Sequence, residues 1–192
     1  YHANSLEKVI QDMAVKNRYI LFVGKRSGYK NFMFFATAIA SILRENHWLS
    51  VICTGKQFDS QEIKFLDALG TLSQYVSKEV KDEELAELYQ GALALVFPSY
   101  YEGFGIPILE AFALECPVIL SKTKCFLEIA EDAAIYFKPK SMSDLRCALS
   151  ILLEDQSARE LLITKGTQRL SNFSWKASAL KTAEIYQSVL KC

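Results

Sequence analysis

The 192 residues, 51% of them hydrophobic, suffice for one packed core, and 22 Lys plus Arg against 22 Asp plus Glu leave no basic surplus for a phosphate-backbone binder. Nucleic acid is therefore not an expected partner. With 23% charged residues, 8 Gly and 4 Pro the chain is neither disordered nor collagen-like, and no run approaches the roughly 18 apolar residues of a membrane span.

In chain order, residues 1–18 mix charged and apolar positions without a basic start, a continuous apolar stretch or a cleavage site. They read as a linker or connector segment, and with Tyr1 in first place the chain reads as an excerpt or a processed product. Short runs rich in β-branched and aromatic residues predict strands at 19–23 (YILFV), 50–54 (SVICT), 93–97 (LALVF), 117–120 (PVIL) and 134–137 (AIYF). A weaker signal in 70–82 predicts one more short strand. Helical spacing covers 31–45, 59–69, 83–91, 107–114, 143–153, 157–170 and 175–190. Continuous apolar strands alternating with helices predict an α/β domain: a Rossmann-like, doubly wound parallel sheet with helices on both faces. The helices after about residue 140 are expected to cover the sheet, with Phe32, Phe34, Phe35, Trp175 and Tyr186 in the core.

The five cysteines (Cys53, Cys116, Cys125, Cys147 and Cys192) are odd in number, widely spaced and mostly in apolar stretches, as reduced core thiols of a cytoplasmic protein would be. Only His2 and His47 exist, neither at ligand spacing to a cysteine, so no metal site is expected.

In an open parallel sheet, ligands bind beyond the carboxyl ends of the strands. The loop after the first predicted strand, Gly24-Lys25-Arg26-Ser27-Gly28-Tyr29-Lys30-Asn31, places three cations and two glycines before a helix, a composition suited to an anionic ligand. Ordinary surface cations are the plainer reading of that loop taken alone. It lacks Gly-x-Gly-x-x-Gly, and no P-loop pattern occurs anywhere. After the 93–97 strand comes Pro98-Ser99-Tyr100-Tyr101-Glu102-Gly103-Phe104-Gly105-Ile106-Pro107-Ile108-Leu109-Glu110-Ala111, with two glycines around a phenylalanine and Pro107 placed to open a helix. Glu110 is expected in the first turn of that helix and Glu102 in the loop before it, two carboxylates suited to sugar or ribose hydroxyls. Their plainer readings are a dipole-compensating acid and a solvated loop charge. Of the loop aromatics, Phe104 is the one expected to be placed by the site.

The segment from Glu102 to Ala111 resembles the two-glutamate signature of retaining glycosyltransferases of family four, the "glycosyl transferases group 1", which have the GT-B fold. Phe22-Val23-Gly24 through Lys30-Asn31, 82–89 (DEELAELY), Pro117-Val118-Ile119, Glu128 and Phe173-Ser174-Trp175 are similar to other family segments in the same order, over about residues 19–190. The resemblance implies that residues 19–192 are the carboxyl-terminal, nucleotide-sugar-binding half of a GT-B enzyme. On it, Arg26 and Lys30 match the basic pair on the donor diphosphate. Glu102 matches the glutamate near the transferred sugar, Gly103, Phe104 and Gly105 bind sugar or phosphate through their backbone, and Glu110 contacts the ribose; Gly24 begins the phosphate loop.

The implied function is transfer of a hexose-type sugar from a UDP-, GDP- or dTDP-sugar to a glycan or lipid-linked acceptor, as in polysaccharide biosynthesis, with retention and without metal or cofactor. The acceptor domain would be a missing amino-terminal partner of the same polypeptide, leaving this chain inactive alone. The expected location is cytoplasmic, with peripheral contact at the inner face of the membrane through the missing half. Competing readings are a non-catalytic nucleotide-binding module and a GT-B-like epimerase or phosphorylase half. Departures from the family are Glu115 where a Gly is usual, Thr54-Gly55-Lys56 after the second strand, Ser121-Lys122-Thr123-Lys124 in place of a smaller loop, and Lys25 directly after Gly24, which leaves open whether Lys25 or Arg26 meets phosphate.

Overall fold

The computed structural model describes residues 19–190; the connector read in 1–18, together with His2 and Cys192, lies outside the described residues. Six parallel strands, β1 (Tyr19–Phe22), β2 (Ser50–Thr54), β3 (Tyr75–Lys78), β4 (Ala94–Phe97), β5 (Val118–Ser121) and β6 (Ile135–Phe137), form one sheet in the order β3-β2-β1-β4-β5-β6. The weak signal in 70–82 is β3, preceded by a 3-10 turn at Leu72–Gln74. Helices α1 (Phe32–Glu45), α2 (Ser60–Ala68), α3 (Asp82–Gly91), α4 (Ile106–Ala113), α5 (Lys124–Ala130), α6 (Met142–Glu154), α7 (Gln156–Leu170) and α8 (Trp175–Leu190), with a second 3-10 turn at Gly28–Lys30, complete the described elements. The doubly wound Rossmann-like fold expected from the sequence is the observed one. Helix α5 was not expected: the short cationic stretch Lys122-Thr123-Lys124 hides a start at which Thr123 accepts from the Phe126 N–H.

Why the strands read as unbroken apolar runs is visible in β1. Ile20 and Phe22 face one core with Phe35, Ile39, Val51 and Leu149, while Tyr19 and Leu21 face the other with Ile108, Phe112 and Phe126. Both faces are buried, so every position is selected to be apolar. Burial of one such side chain stabilises by about 1.5–3 kcal/mol. Helix α1 packs with α6 on the first face, and α4 packs with α7 on the second, where Gly166 leaves room for the Phe112 ring.

The carboxyl-terminal expectation needs correction at its end. Helices α6 and α7 do cover the sheet, but α8 contributes no buried residue: Trp175 is 84% exposed and Tyr186 68%, where core positions were expected. Phe32 and Phe35 are core, and Phe34 stacks on Phe137 at 6.2 Å. The cysteine reading is also modified, since Cys53 and Cys116 are buried whereas Cys147 is exposed; these and Cys125 are all free thiols. Burial pushes the Cys116 thiol up to about 12.

The departure at Glu115 has a backbone explanation. Helix α4 ends in a six-to-one pattern, the Cys116 N–H donating to Ala111 O at 2.8 Å, and this forces Glu115 to φ +55°. A left-handed residue with a Cβ costs roughly 1–2 kcal/mol that glycine does not. Glu115→Gly should therefore stabilise the chain by about 1 kcal/mol and raise the melting temperature by roughly 2–4 °C. An unchanged or lowered melting temperature would count against the left-handed assignment.

Candidate active site

The strand order reverses beside β1: the chain leaving β1 returns to β2 on one side, while β4 lies on the other and leads to β5. The loops after β1 and β4 thus start next to each other and diverge, which opens a crevice at the carboxyl edge. Both loops singled out in the sequence lie here. They are tied by three contacts: the Tyr100 N–H donates to Tyr29 O at 2.9 Å, Asn31 Nδ2 donates to Pro98 O at 3.3 Å, and Lys30 Nζ pairs with Glu102 Oε1 at 2.7 Å. Lys30 and Glu102 are both mostly buried, and the ammonium also sits 4.5 Å from the centroid of the Phe97 ring. Gly24 lies beside the Lys30 side chain in a backbone conformation that favours glycine. It adopts φ +104°, its N–H donates to Thr54 Oγ1 at 3.2 Å, and a Cβ there would stand 3.7 Å from Lys30 Nζ. Asn31 itself is left-handed at φ +62° and caps α1.

Arg26, matched by the resemblance to the donor diphosphate, is engaged in this structure by protein acceptors. Its Nε donates to Glu62 Oε1 at 2.7 Å and its terminal nitrogens to Glu62 Oε2, Ser77 Oγ and the carbonyls of Lys56 and Gln57, while the guanidinium lies 4.6 Å from the centroid of Phe58. These protein acceptors take up the guanidinium fork, so in this structure Arg26 clamps the β1 loop to the β2 loop, β3 and α2. Lys25 beside it is exposed. Glu62 carries a second duty as the return half of a capping box, accepting from the Asp59 N–H at 2.9 Å. The sequence signal Asp59-Ser60-Gln61-Glu62 announces that cap, but nothing in it announces Arg26.

After β4, Glu102 is followed by exposed Gly103 and Phe104 and by buried Gly105. Gly105 is the N-cap of α4 at φ +105°, where a Cβ would meet Ile108 and Phe126 at 3.0 and 3.3 Å, so the tight turn into α4 requires glycine. Phe104 is 44% exposed and stands edge-on to Phe173 at 6.1 Å, with Arg169 over the Phe173 ring. The Cys125 thiol, at the start of α5, donates to Phe104 O at 3.0 Å. Glu110 is not in the first turn of α4. Because Ile106 begins the helix, Glu110 falls one turn later, where dipole compensation is weak and Oε2 instead accepts the Tyr89 hydroxyl at 2.8 Å. Tyr89 and Glu62 are the two residues of this region that the sequence reading missed. A separate cleft of about 530 Å³, lined by Gln90, Glu115, Pro117, Gln156, Arg159 and Glu160 among others, opens at the amino ends of β4 and β5 and contains none of these residues.

A doubly wound domain with this two-glutamate segment at its switch point belongs to the glycosyltransferase class of α/β folds. Residues 6–169 match the family model described as Glycosyl transferases group 1, and the chain belongs to that family. O-antigen chain mannosyltransferase B of Escherichia coli is 35% identical over 108 residues, 56% of this chain and 28% of that protein. Among solved structures, Anabaena HepE, in complex with UDP and glucose, superposes with a TM-score of 0.80 at 16% identity over 98% of this chain and 53% of that one. The carboxyl-terminal domain of a group 1 family protein from Francisella tularensis gives 0.69 at 23% identity over 90% and 94%. The chain covers 28%, 12% and 46% of three curated relatives, well under two thirds of their length. Among the described residues no helix is long and apolar enough to cross a membrane.

The Arg26–Glu62 pair is testable without ligand. Both side chains are at most 16% exposed. Arg26→Gln should cost about 3 kcal/mol in urea denaturation, since it strands a buried carboxylate, and the Arg26→Gln/Glu62→Gln double variant should be no less stable than Arg26→Gln alone. Additive losses would show that the two residues act separately.

Proposed function

We propose that this chain is the nucleotide-sugar-binding half of a retaining, metal-independent glycosyltransferase that moves a hexose-type sugar to a glycan or lipid-linked acceptor held by a second domain. The observation that carries the reading is the switch-point crevice, where Lys30, Glu102, the Gly103-Phe104-Gly105 turn and the start of α4 converge. The UDP and glucose of Anabaena HepE and the mannosyltransferase name of the Escherichia coli relative support it. The exposed apolar residues of α8, among them Trp175, Leu180, Ile185 and Tyr186, support a further domain.

In this reading the bond between the anomeric carbon and the diphosphate oxygen breaks while the acceptor hydroxyl adds on the same face, its proton passing to a phosphate oxygen. Charge develops on the departing diphosphate. Lys30 stabilises it, held by Glu102 and Phe97 so that little reorganisation accompanies the step. Arg26 contributes by holding the loop, which leaves Lys25 as the second cation able to approach phosphate. The backbone N–H groups at the start of α4 meet phosphate or sugar oxygens, and Glu110 accepts the ribose hydroxyls.

Thermal shift with UDP-, GDP- and dTDP-sugars should identify one donor class that raises the melting temperature, since ligand bound to the folded state stabilises it. Lys30→Ala should weaken that donor roughly tenfold or more by calorimetry, from loss of a charged phosphate contact. No stabilisation by any nucleotide sugar, or full affinity in Lys30→Ala, would overturn the assignment.

A further inference from the structure

The Tyr89 phenol is buried, with the residue 1% exposed, and its hydroxyl reaches across from α3 to α4 to donate to Glu110 Oε2 at 2.8 Å. The buried Tyr75 hydroxyl has no partner among the described residues, and where two other phenols donate, a backbone carbonyl suffices. Tyr19 donates to Leu88 O at 2.7 Å, and Tyr136 to Glu131 O at 2.7 Å. Tyr89 instead takes the carboxylate of a candidate site residue, a stronger bond because the acceptor is charged.

The donor side of this contact is rigid. Helix α3 is fixed to the sheet one residue before Tyr89 by that Tyr19 bond to Leu88, and Gly91 admits the Tyr19 hydroxyl, which would lie 2.6 Å from a Cβ at that position. Burial, and then the charge of Glu110, push the phenol well above its ordinary range, so it stays a neutral donor at every working pH. Each carboxylate oxygen has two acceptor sites, so one hydrogen bond to Oε2 leaves most of the group's capacity unspent. Glu110 is itself only partly buried.

We propose that Tyr89 is a positioning residue: by holding one oxygen of Glu110 from the protein side, it orients the carboxylate to accept both hydroxyls of a vicinal diol, the ribose of a nucleoside diphosphate. The inference rests on the reading of Glu110 as the ribose contact. It predicts an effect confined to ligands that have the diol, which a general packing role for Tyr89 would not produce.

The test is calorimetry on the 192-residue chain with UDP and GDP, each beside its 2′,3′-dideoxy counterpart, and with melting temperatures taken on the same samples. Tyr89→Phe should weaken the ribonucleotide roughly five- to tenfold and change the dideoxy compound less than about twofold, the range expected when a hydrogen bond to a charged group is lost. Glu110→Ala should show the same selectivity, and the double variant should bind no more weakly than Glu110→Ala. Equal loss for both ligands in Tyr89→Phe, or no loss while Glu110→Ala stays selective, overturns the positioning role and leaves the ribose contact standing. A Glu110→Ala variant without selectivity, or an unmodified chain that binds neither nucleotide, overturns the ribose reading and this inference with it. Should Tyr89→Phe not fold, Tyr89→Met, which removes the hydroxyl and keeps an apolar side chain, must give the same ribose-selective loss, or the proposal falls.

Discussion

The reversal of strand order beside β1 is the constraint on which the rest depends. With β2 on one side of β1 and β4 on the other, helix α1 follows β1 onto one face while α4 follows β4 onto the opposite one. The two loops diverge from adjacent strand ends, the arrangement that opens a crevice at the carboxyl edge of such sheets. What bridges its base is polar: Asn31 to Pro98, Tyr100 to Tyr29, and Lys30 to Glu102. Of these, the Lys30–Glu102 pair joins two residues singled out in the sequence, so a candidate site pair also anchors the loops.

Formal neutrality over the whole chain makes the local arrangement of charge decisive. Two of the three cations in the β1 loop are already matched, Arg26 by Glu62 and Lys30 by Glu102, and both pairs lie against aromatic rings with little solvent access. In such surroundings a charge is felt more strongly than at an open surface, and its position is fixed beforehand. The two pairs differ in consequence. Five acceptor contacts absorb Arg26 into the scaffold, whereas the ion pair of Lys30 stands between the two loops, where an arriving anion would find an ammonium already in place.

Much of this was legible in the sequence because two-faced burial leaves unbroken apolar runs. Strand β2 was read to the residue, and β1, β4, β5 and β6 to within one residue at either end. The loops of the crevice were legible for a second reason, since glycines at positive φ, a helix-opening proline and clustered charge are all local signals. What stayed hidden is long-range. Arg26 and Glu62 are 36 residues apart, Tyr89 and Glu110 are 21 apart, and neither partner's local pattern names the other. Tyr89 and Glu62 lay within the predicted helical stretches 83–91 and 59–69, and neither was singled out. Helix α8 misled in the opposite direction, because helical spacing of apolar residues says that a face will be covered but not by which part of a polypeptide.

The two glutamates of the signature are therefore not equivalent acceptors. Glu102 is held by an ammonium, so much of its charge is offset before anything binds. Glu110 is held by a neutral phenol, which fixes an oxygen without offsetting the charge. A carboxylate of the first kind suits the neighbourhood of a leaving diphosphate, where an uncompensated negative charge would oppose the charge that develops. A carboxylate of the second kind suits neutral hydroxyls, which bind best to an acceptor whose charge is intact. The division of labour proposed for the pair thus follows from what holds each one in place, and it requires that the phosphate lie nearer Lys30 and the diol nearer Tyr89.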